Sequence, residues 1–137
     1  INQNIITKEE HLEFIDKLKV VNTKNLYWLI LKEEEYIGVI YLTEIDLKNK
    51  HAYLGIYKNP FSNTKGLGSL LMNGLLYISF ELIQLHTLKL EVLDDNEKAI
   101  NLYRKFGFSK EGRIKEVILD KNDKWRDLII MGKINKD

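Results

Sequence analysis

Glu91-Val92-Leu93-Asp94-Asp95-Asn96-Glu97-Lys98-Ala99-Ile100-Asn101-Leu102-Tyr103-Arg104-Lys105-Phe106-Gly107-Phe108 is the stretch that decides the fold. It reads as a buried strand, a capped helix and the start of another strand. Asp94 and Glu97 stand at capping-box spacing, which predicts a helix beginning there with the Asp side chain accepting an orphan backbone N–H. Asn96 and Tyr103 are seven residues apart, two helical turns, so both face the same groove. Gly107 is placed to end the helix in a left-handed cap, and Phe108 to carry the chain back into a sheet. Packing alone also accounts for these residues: Ala99, Ile100, Leu102, Tyr103 and Phe106 make an apolar stripe, and a Tyr on such a stripe is usually core.

A second signature lies upstream. Leu54-Gly55-Ile56-Tyr57-Lys58-Asn59-Pro60 is an apolar strand stopped by the single proline of the chain, whose fixed φ and missing N–H end strand pairing. Phe61-Ser62-Asn63-Thr64-Lys65-Gly66-Leu67-Gly68-Ser69 follows, and then an apolar helix expected from Leu70 to about Ile83. A glycine loop opening a helix turns several backbone N–H groups toward the positive end of the helix dipole, a ready site for a pyrophosphate. Rival phosphate loops fail: there is no G-x-x-x-x-G-K-[ST], and G-x-G-x-x-G needs glycine where Leu71 stands.

The pattern N-x-x-A-x-x-x-Y-x-K-x-G-F and the loop before it resemble the GNAT acetyltransferases, which move an acetyl group from acetyl-CoA to an amine. The loop departs from the superfamily's [QR]-x-x-G-x-[GA] at one position, where Asn63 replaces Gln or Arg. Within the superfamily, nearly the whole chain resembles the N-acetyltransferases of the pseudaminic acid pathway. The resemblance is carried by His51-Ala52-Tyr53-Leu54-Gly55-Ile56-Tyr57-Lys58-Asn59-Pro60-Phe61, Gln84-Leu85-His86-Thr87-Leu88-Lys89-Leu90-Glu91-Val92 and Glu111-Gly112-Arg113-Ile114-Lys115. It implies acetylation of the 4-amino group of a UDP-linked 4-amino-4,6-dideoxy-altrosamine derivative, on the way to a sugar that bacteria attach to flagellin.

Composition fits a small enzyme. The 137 residues are read as one domain, 1–137, and a chain of this size buries roughly two-thirds of its unfolded surface. A formal net charge of +1, with 18 Lys against 3 Arg, argues against nucleic acid as partner. The absence of cysteine excludes disulfides and Cys metal sites. No segment approaches the ~20 apolar residues of a membrane span and no signal peptide is visible, so a cytoplasmic location is expected.

The remaining pattern is α/β: a mixed, mostly antiparallel central sheet flanked by helices. Thr7 and Glu10 form another capping box, predicting a helix through Lys19 with Leu12, Ile15 and Leu18 toward the core. Leu26–Leu31 and Tyr36–Ile45 read as a hairpin across Lys32-Glu33-Glu34-Glu35; His51–Tyr57 and His86–Leu93 read as strands. Phe108–Leu119 and Trp125–Ile134 read as a second hairpin across Asp120-Lys121-Asn122-Asp123. This order resembles the GNAT fold from its second strand onward, with the customary first strand and helix absent.

The resemblance also assigns roles. The pantetheine arm of acetyl-CoA pairs with the backbone of Ile56, Tyr57 and Lys58, the pyrophosphate sits on Lys65, Gly66, Leu67, Gly68 and Ser69, Asn96 anchors the arm's amide, and Lys105 joins the cofactor contacts. Glu91, which shares a strand face with Lys89 and Leu93, is the implied base; read without the family it is a surface Glu beside a Lys. Backbone N–H groups near Tyr57 or Lys58 are placed for the oxyanion if the strand splays or bulges there. Tyr103 is the acid for the departing thiolate, since a phenol with pKa about 10 suits a thiol with pKa about 8.5. His11, Thr43 and Tyr57 align with positions that touch the nucleotide or sugar, and Tyr41 shares the face of Thr43. His11 reads equally as an exposed residue of a first helical turn. Three scattered His without carboxylates at ligand spacing predict no metal. A homodimer is compatible with this reading. The alternatives are a GNAT acting on a protein N-terminus or polyamine, since Glu111-Gly112-Arg113 also occurs in ribosomal-protein-type acetyltransferases, and a non-catalytic acyl-CoA sensor.

Overall fold

The computed structural model describes residues 4–7, 12–16 and 24–136, with side chains described from residue 24 onward. Among the described residues eight strands form one sheet: β1 (Asn4–Thr7), β2 (Leu12–Asp16), β3 (Leu26–Lys32), β4 (Glu35–Asp46), β5 (His51–Lys58), β6 (Thr87–Leu93), β7 (Ser109–Leu119) and β8 (Trp125–Ile134). Their order is β1-β2-β3-β4-β5-β6-β8-β7. Every neighbouring pair is antiparallel except β5–β6, which is parallel and therefore needs a helical crossover. Helix α1 (Leu67–Leu76) supplies it; α2 (Glu97–Lys105) follows β6.

The expected helix from Thr7 to Lys19 is corrected by this arrangement. Where the structure describes that segment it is extended: Asn4 pairs with Ile15 and Thr7 with Leu12, and Leu12–Asp16 pairs with Lys32–Trp28 of β3. The β-branched run Ile5-Ile6-Thr7 and the pairing edge offered by β3 outweigh the local capping signal. Leu18 and His11 lie outside the described residues.

The two hairpins form as expected. Between β3 and β4 the turn is made by Glu33 (φ 52°) and Glu34 (φ 71°), two successive left-handed residues. That is the backbone a tight hairpin demands, here without its usual Asn-Gly. A register shift between Ile30 and Leu31 lies just before it.

One sheet face carries the core. Ile40, Leu42, Ala52, Leu88 and Leu90 are buried on it beneath Leu71, Met72 and Leu75 of α1. Gly38 permits the close seat of α1, since a Cβ there would stand 2.9 Å from Leu71 Cδ1. Leu71→Ala, at a fully buried position, is expected to cost about 2–5 kcal/mol in denaturant unfolding, because the rigid sheet below cannot collapse into the void. The helix expected to reach Ile83 as one α-helix instead widens after Leu76 into a π-helical segment, Tyr77–Leu82. Ile83 N–H donates to Ile78 O at 2.9 Å, and the wider turn buries three successive residues, Ile78, Ser79 and Phe80.

Candidate active site in the splay between two strands

The parallel pair β5–β6 is registered only at His51↔Thr87, Ala52↔Leu88 and Tyr53↔Lys89. Beyond that point β5 runs on to Lys58 and β6 to Leu93 with no pairing between them. The strands open into a wedge, and the inner edge of residues 54–58 offers backbone donors and acceptors to an extended ligand. The splay, and not a bulge, is thus what frees the backbone near Tyr57 and Lys58. Helix starts close the wedge on either side. The resulting cleft has a volume of about 670 Å³ and is lined by Ile56, Lys58, Gly66, Leu67, Gly68, Ser69, Asn96, Lys98, Ala99, Asn101, Leu102, Tyr103 and Lys105.

Eight of the ten residues expected to hold acetyl-CoA therefore line one cleft, together with Tyr103. Tyr57 points to the other sheet face, opposite in alternation to Ile56 and Lys58, and Lys65 is exposed in the loop outside the lining. Lys98 and Asn101 were missed by the sequence reading. Lys98, Asn101 and Lys105 recur at helical spacing on the flank of the Asn96/Tyr103 face, a signal that was present.

The two glycines act differently. Gly66 is the N-cap of α1 with φ 70°, and no side chain caps the helix; its first turn holds no acidic residue. The leading N–H groups of α1 therefore meet the cleft without a side-chain acceptor, as an anion requires. Gly68 is needed for helix contact: a Cβ there would lie 2.9 Å from Leu102 Cδ2.

The start of α2 corrects the expected cap. Asn96, not Asp94, is the N-cap, and its Oδ1 accepts from Ala99 N–H at 3.2 Å. The Asn96 oxygen is thus engaged in capping the helix. Asp94 is instead bound by cations from the β7–β8 hairpin. Arg113 Nη1 donates to Asp94 Oδ2 at 3.3 Å and to Asp127 Oδ2 at 2.6 Å, and Arg126 Nη2 reaches Asp94 and Asp95. The Glu116 N–H and the Arg113 guanidinium hold the Asp127 carboxyl below the usual carboxylate range. This brace fixes the loop from which α2, and with it Asn96 and Tyr103, projects. The far end of α2 closes as expected: Gly107 has φ 94°, and Phe108 N–H donates to Tyr103 O at 3.0 Å.

Tyr103 lies half-buried against Phe108, with ring centroids 6.2 Å apart at 64°. Burial raises its pKa above the ordinary phenol value, and the nearby Tyr41 phenol pushes the same way. Tyr41 comes from the other face of the sheet. Its ring lies over Gly55, where any Cβ would fall inside it, and stacks on Tyr27 at 5.3 Å. By strand alternation and register, Thr43, Tyr53, Tyr57, Lys89 and Glu91 share that face. Glu91 is exposed there, two residues past the last β5–β6 pair. The structure thus separates two sets of expected residues: a cofactor set inside the cleft, and Tyr41, Thr43, Tyr57 and Glu91 on the adjoining face. His51 Nε2 is 3.8 Å from Asp46, and among the described residues no group of three His, Cys, Asp or Glu is arranged to hold a metal. Among these residues no helix is long and apolar enough to cross a membrane.

Comparison with known proteins agrees with this geometry. Residues 3–108 match the acetyltransferase (GNAT) family. The acetyltransferase PseH of Campylobacter jejuni is 39% identical over 113 residues, 80% of this chain and 69% of that protein. Spermidine N(1)-acetyltransferase of Vibrio cholerae is 31% identical over 124 residues, 84% of this chain and 72% of that protein. A solved structure of a spermidine N-acetyltransferase variant from Vibrio cholerae superposes with a TM-score of 0.78 at 27% identity, covering 83% of this chain and 68% of that one.

Proposed function

Since the chain belongs to the acetyltransferase (GNAT) family, we propose that it acetylates the 4-amino group of a UDP-linked 4-amino-4,6-dideoxy sugar, in the cytoplasm, as a step toward pseudaminic acid. That it is an acetyl-CoA-dependent acetyltransferase follows from the family and its relatives; the acceptor is the proposal. The observation that favours a nucleotide sugar is the character of the face beside the splay. Tyr27, Tyr41, Tyr53 and Tyr57 line it with Thr43. Stacking surfaces and hydroxyls suit a base and a sugar, whereas a polyamine asks for several carboxylates. On this part of the described face the carboxylates are Glu91 and Glu111, and Glu111 is already paired with Lys89.

Each residue's part follows from its place. The N–H groups opening α1 take the pyrophosphate, Lys58, Lys98 and Lys105 add positive charge around the cleft, and the free edge of residues 54–58 aligns the pantetheine arm. Holding thioester and amine together removes much of the entropic barrier. Glu91, directly or through water, takes the ammonium proton; the neutral amine attacks the thioester carbonyl; and backbone N–H at Tyr57 or Lys58 meets the oxyanion. As the intermediate collapses, Tyr103 gives its proton to the departing thiolate while the nitrogen sheds its second proton to water, from which the Tyr103 phenolate is reprotonated. Bound acetyl-CoA supplies the activated acyl group.

The spermidine acetyltransferase relative favours a second reading, a polyamine acceptor. Side-by-side turnover with a UDP-4-amino sugar, spermidine and an N-terminal peptide, read by product mass, decides between them. We expect kcat/KM for the sugar to exceed that for spermidine by at least about a hundredfold, the discrimination that two well-made polar contacts provide. Preference for spermidine would overturn the acceptor assignment and leave the acetyltransferase standing.

A further inference from the structure

The stretch Glu111-Gly112-Arg113, which the mechanism above does not use, sits at a β-bulge. Lys110 pairs with Met131 and Gly112 with Ile130, so Glu111 is the extra residue of β7. Bulges re-aim a side chain, and here Glu111 is turned inward across the neighbouring strand. It passes over Gly132 of β8, where a Cβ would stand 2.7 Å from Glu111 Cδ, and pairs with the Lys89 ammonium on β6. Lys89 itself is registered opposite Gly132. Three strands thus cooperate in one ion pair: a bulge on the first, a missing side chain on the second and a cation on the third.

Such a pair on a half-exposed face contributes little stability, so its construction asks for another reason. Lys89 and Glu91 lie on one face of β6, about 7 Å apart along the strand. A lysine side chain spans that distance. Left without Glu111, the Lys89 ammonium has Glu91 as its nearest carboxylate on β6, and an ion pair there would hold Glu91 in its charged form and make it a poorer proton acceptor.

We propose that Glu111 is a positioning residue for acyl transfer: by capturing Lys89 across Gly132 it keeps that cation off Glu91. The inference rests on Glu91 acting as the base. The same bulge explains why Glu111 and Arg113 face different partners, Glu111 holding Lys89 while Arg113 holds Asp94 and Asp127 at the other end of β6.

The test compares Glu111→Gln, Glu111→Gln with Lys89→Met, and Glu91→Gln at low salt, reading kcat and, by carbon NMR, the titration of the Glu91 carboxyl. Glu111→Gln is expected to lower kcat about two- to threefold, the effect of weakening an exposed base by up to about half a pKa unit, and to move the Glu91 midpoint down. Adding Lys89→Met should return both toward wild type, although the ion pair is then wholly absent; a role in stability alone would leave the Glu91 titration unmoved in every variant. An unmoved midpoint in Glu111→Gln, or no recovery of kcat in the double variant, overturns the proposal. Full kcat in Glu91→Gln would instead refute the base assignment, while the midpoint shift still tests the capture of Lys89.

Discussion

Tyr103→Phe is expected to lower kcat about a hundredfold while leaving acetyl-CoA affinity and thermal stability nearly unchanged. The substitution keeps the ring, and with it the edge-on contact to Phe108; it removes only the hydroxyl. Loss of a general acid costs about a hundredfold to ten-thousandfold, and a thiolate needs little help to leave, which places the effect at the low end. Burial raises the phenol's pKa, so the group holds its proton throughout the neutral range and is available as an acid and not as a base. The loss should fall on kcat, because the interaction is made as the thiolate departs. Tyr103→Ala would in addition open a void and cost a few kcal/mol of stability. If Tyr103→Phe retained full kcat and Tyr103→Ala lost stability alone, Tyr103 would be a packing residue.

Ser69→Asp is expected to weaken acetyl-CoA binding by about thirtyfold to a hundredfold, roughly 2–3 kcal/mol from placing a carboxylate within several ångströms of a pyrophosphate at intermediate dielectric. Ser69 lies in the first turn of α1 and on the cleft wall. An acidic residue in a first helical turn favours the helix, so the protein should be no less stable, and calorimetry then reads the ligand effect alone. The neighbouring glycines are poorer probes. Gly68→Asp would drive a Cβ toward Leu102, and Gly66→Asp would load a left-handed position, so either loss could come from the fold. Undiminished affinity in Ser69→Asp would remove the pyrophosphate from the start of α1.

How far residues announce such a site depends on how local its causes are. The Gly107 cap, the α1 loop and the Asn96/Tyr103 face are each set by neighbours within two turns, and they were readable. Asn96 and Asp94 exchanged parts because the cations that claim Asp94, Arg113 and Arg126, come from a hairpin distant in sequence; capping-box spacing carries no trace of them. The segment after Thr7 shows the same limit in the other direction: a sound helix-start signal gives way to β1 and β2, whose support is the edge of β3. The widening of α1 into π-helix leaves its apolar pattern unchanged and so left no mark. The division of expected site residues between the cleft and the opposite face was half legible. Strand parity separates Tyr57 from Ile56 and Lys58, but the pairing of Glu111 with Lys89 depends on a bulge and on Gly132 two strands away.

Amide hydrogen exchange with and without acetyl-CoA tests the central claim, that the splay between β5 and β6 is where this enzyme holds its acyl donor. The arm laid along β5 and the pyrophosphate seated on α1 should slow exchange at residues 54–58 and 66–69, with the β7–β8 hairpin unaffected. Protection confined to other segments, or none at saturating acetyl-CoA, would contradict the account.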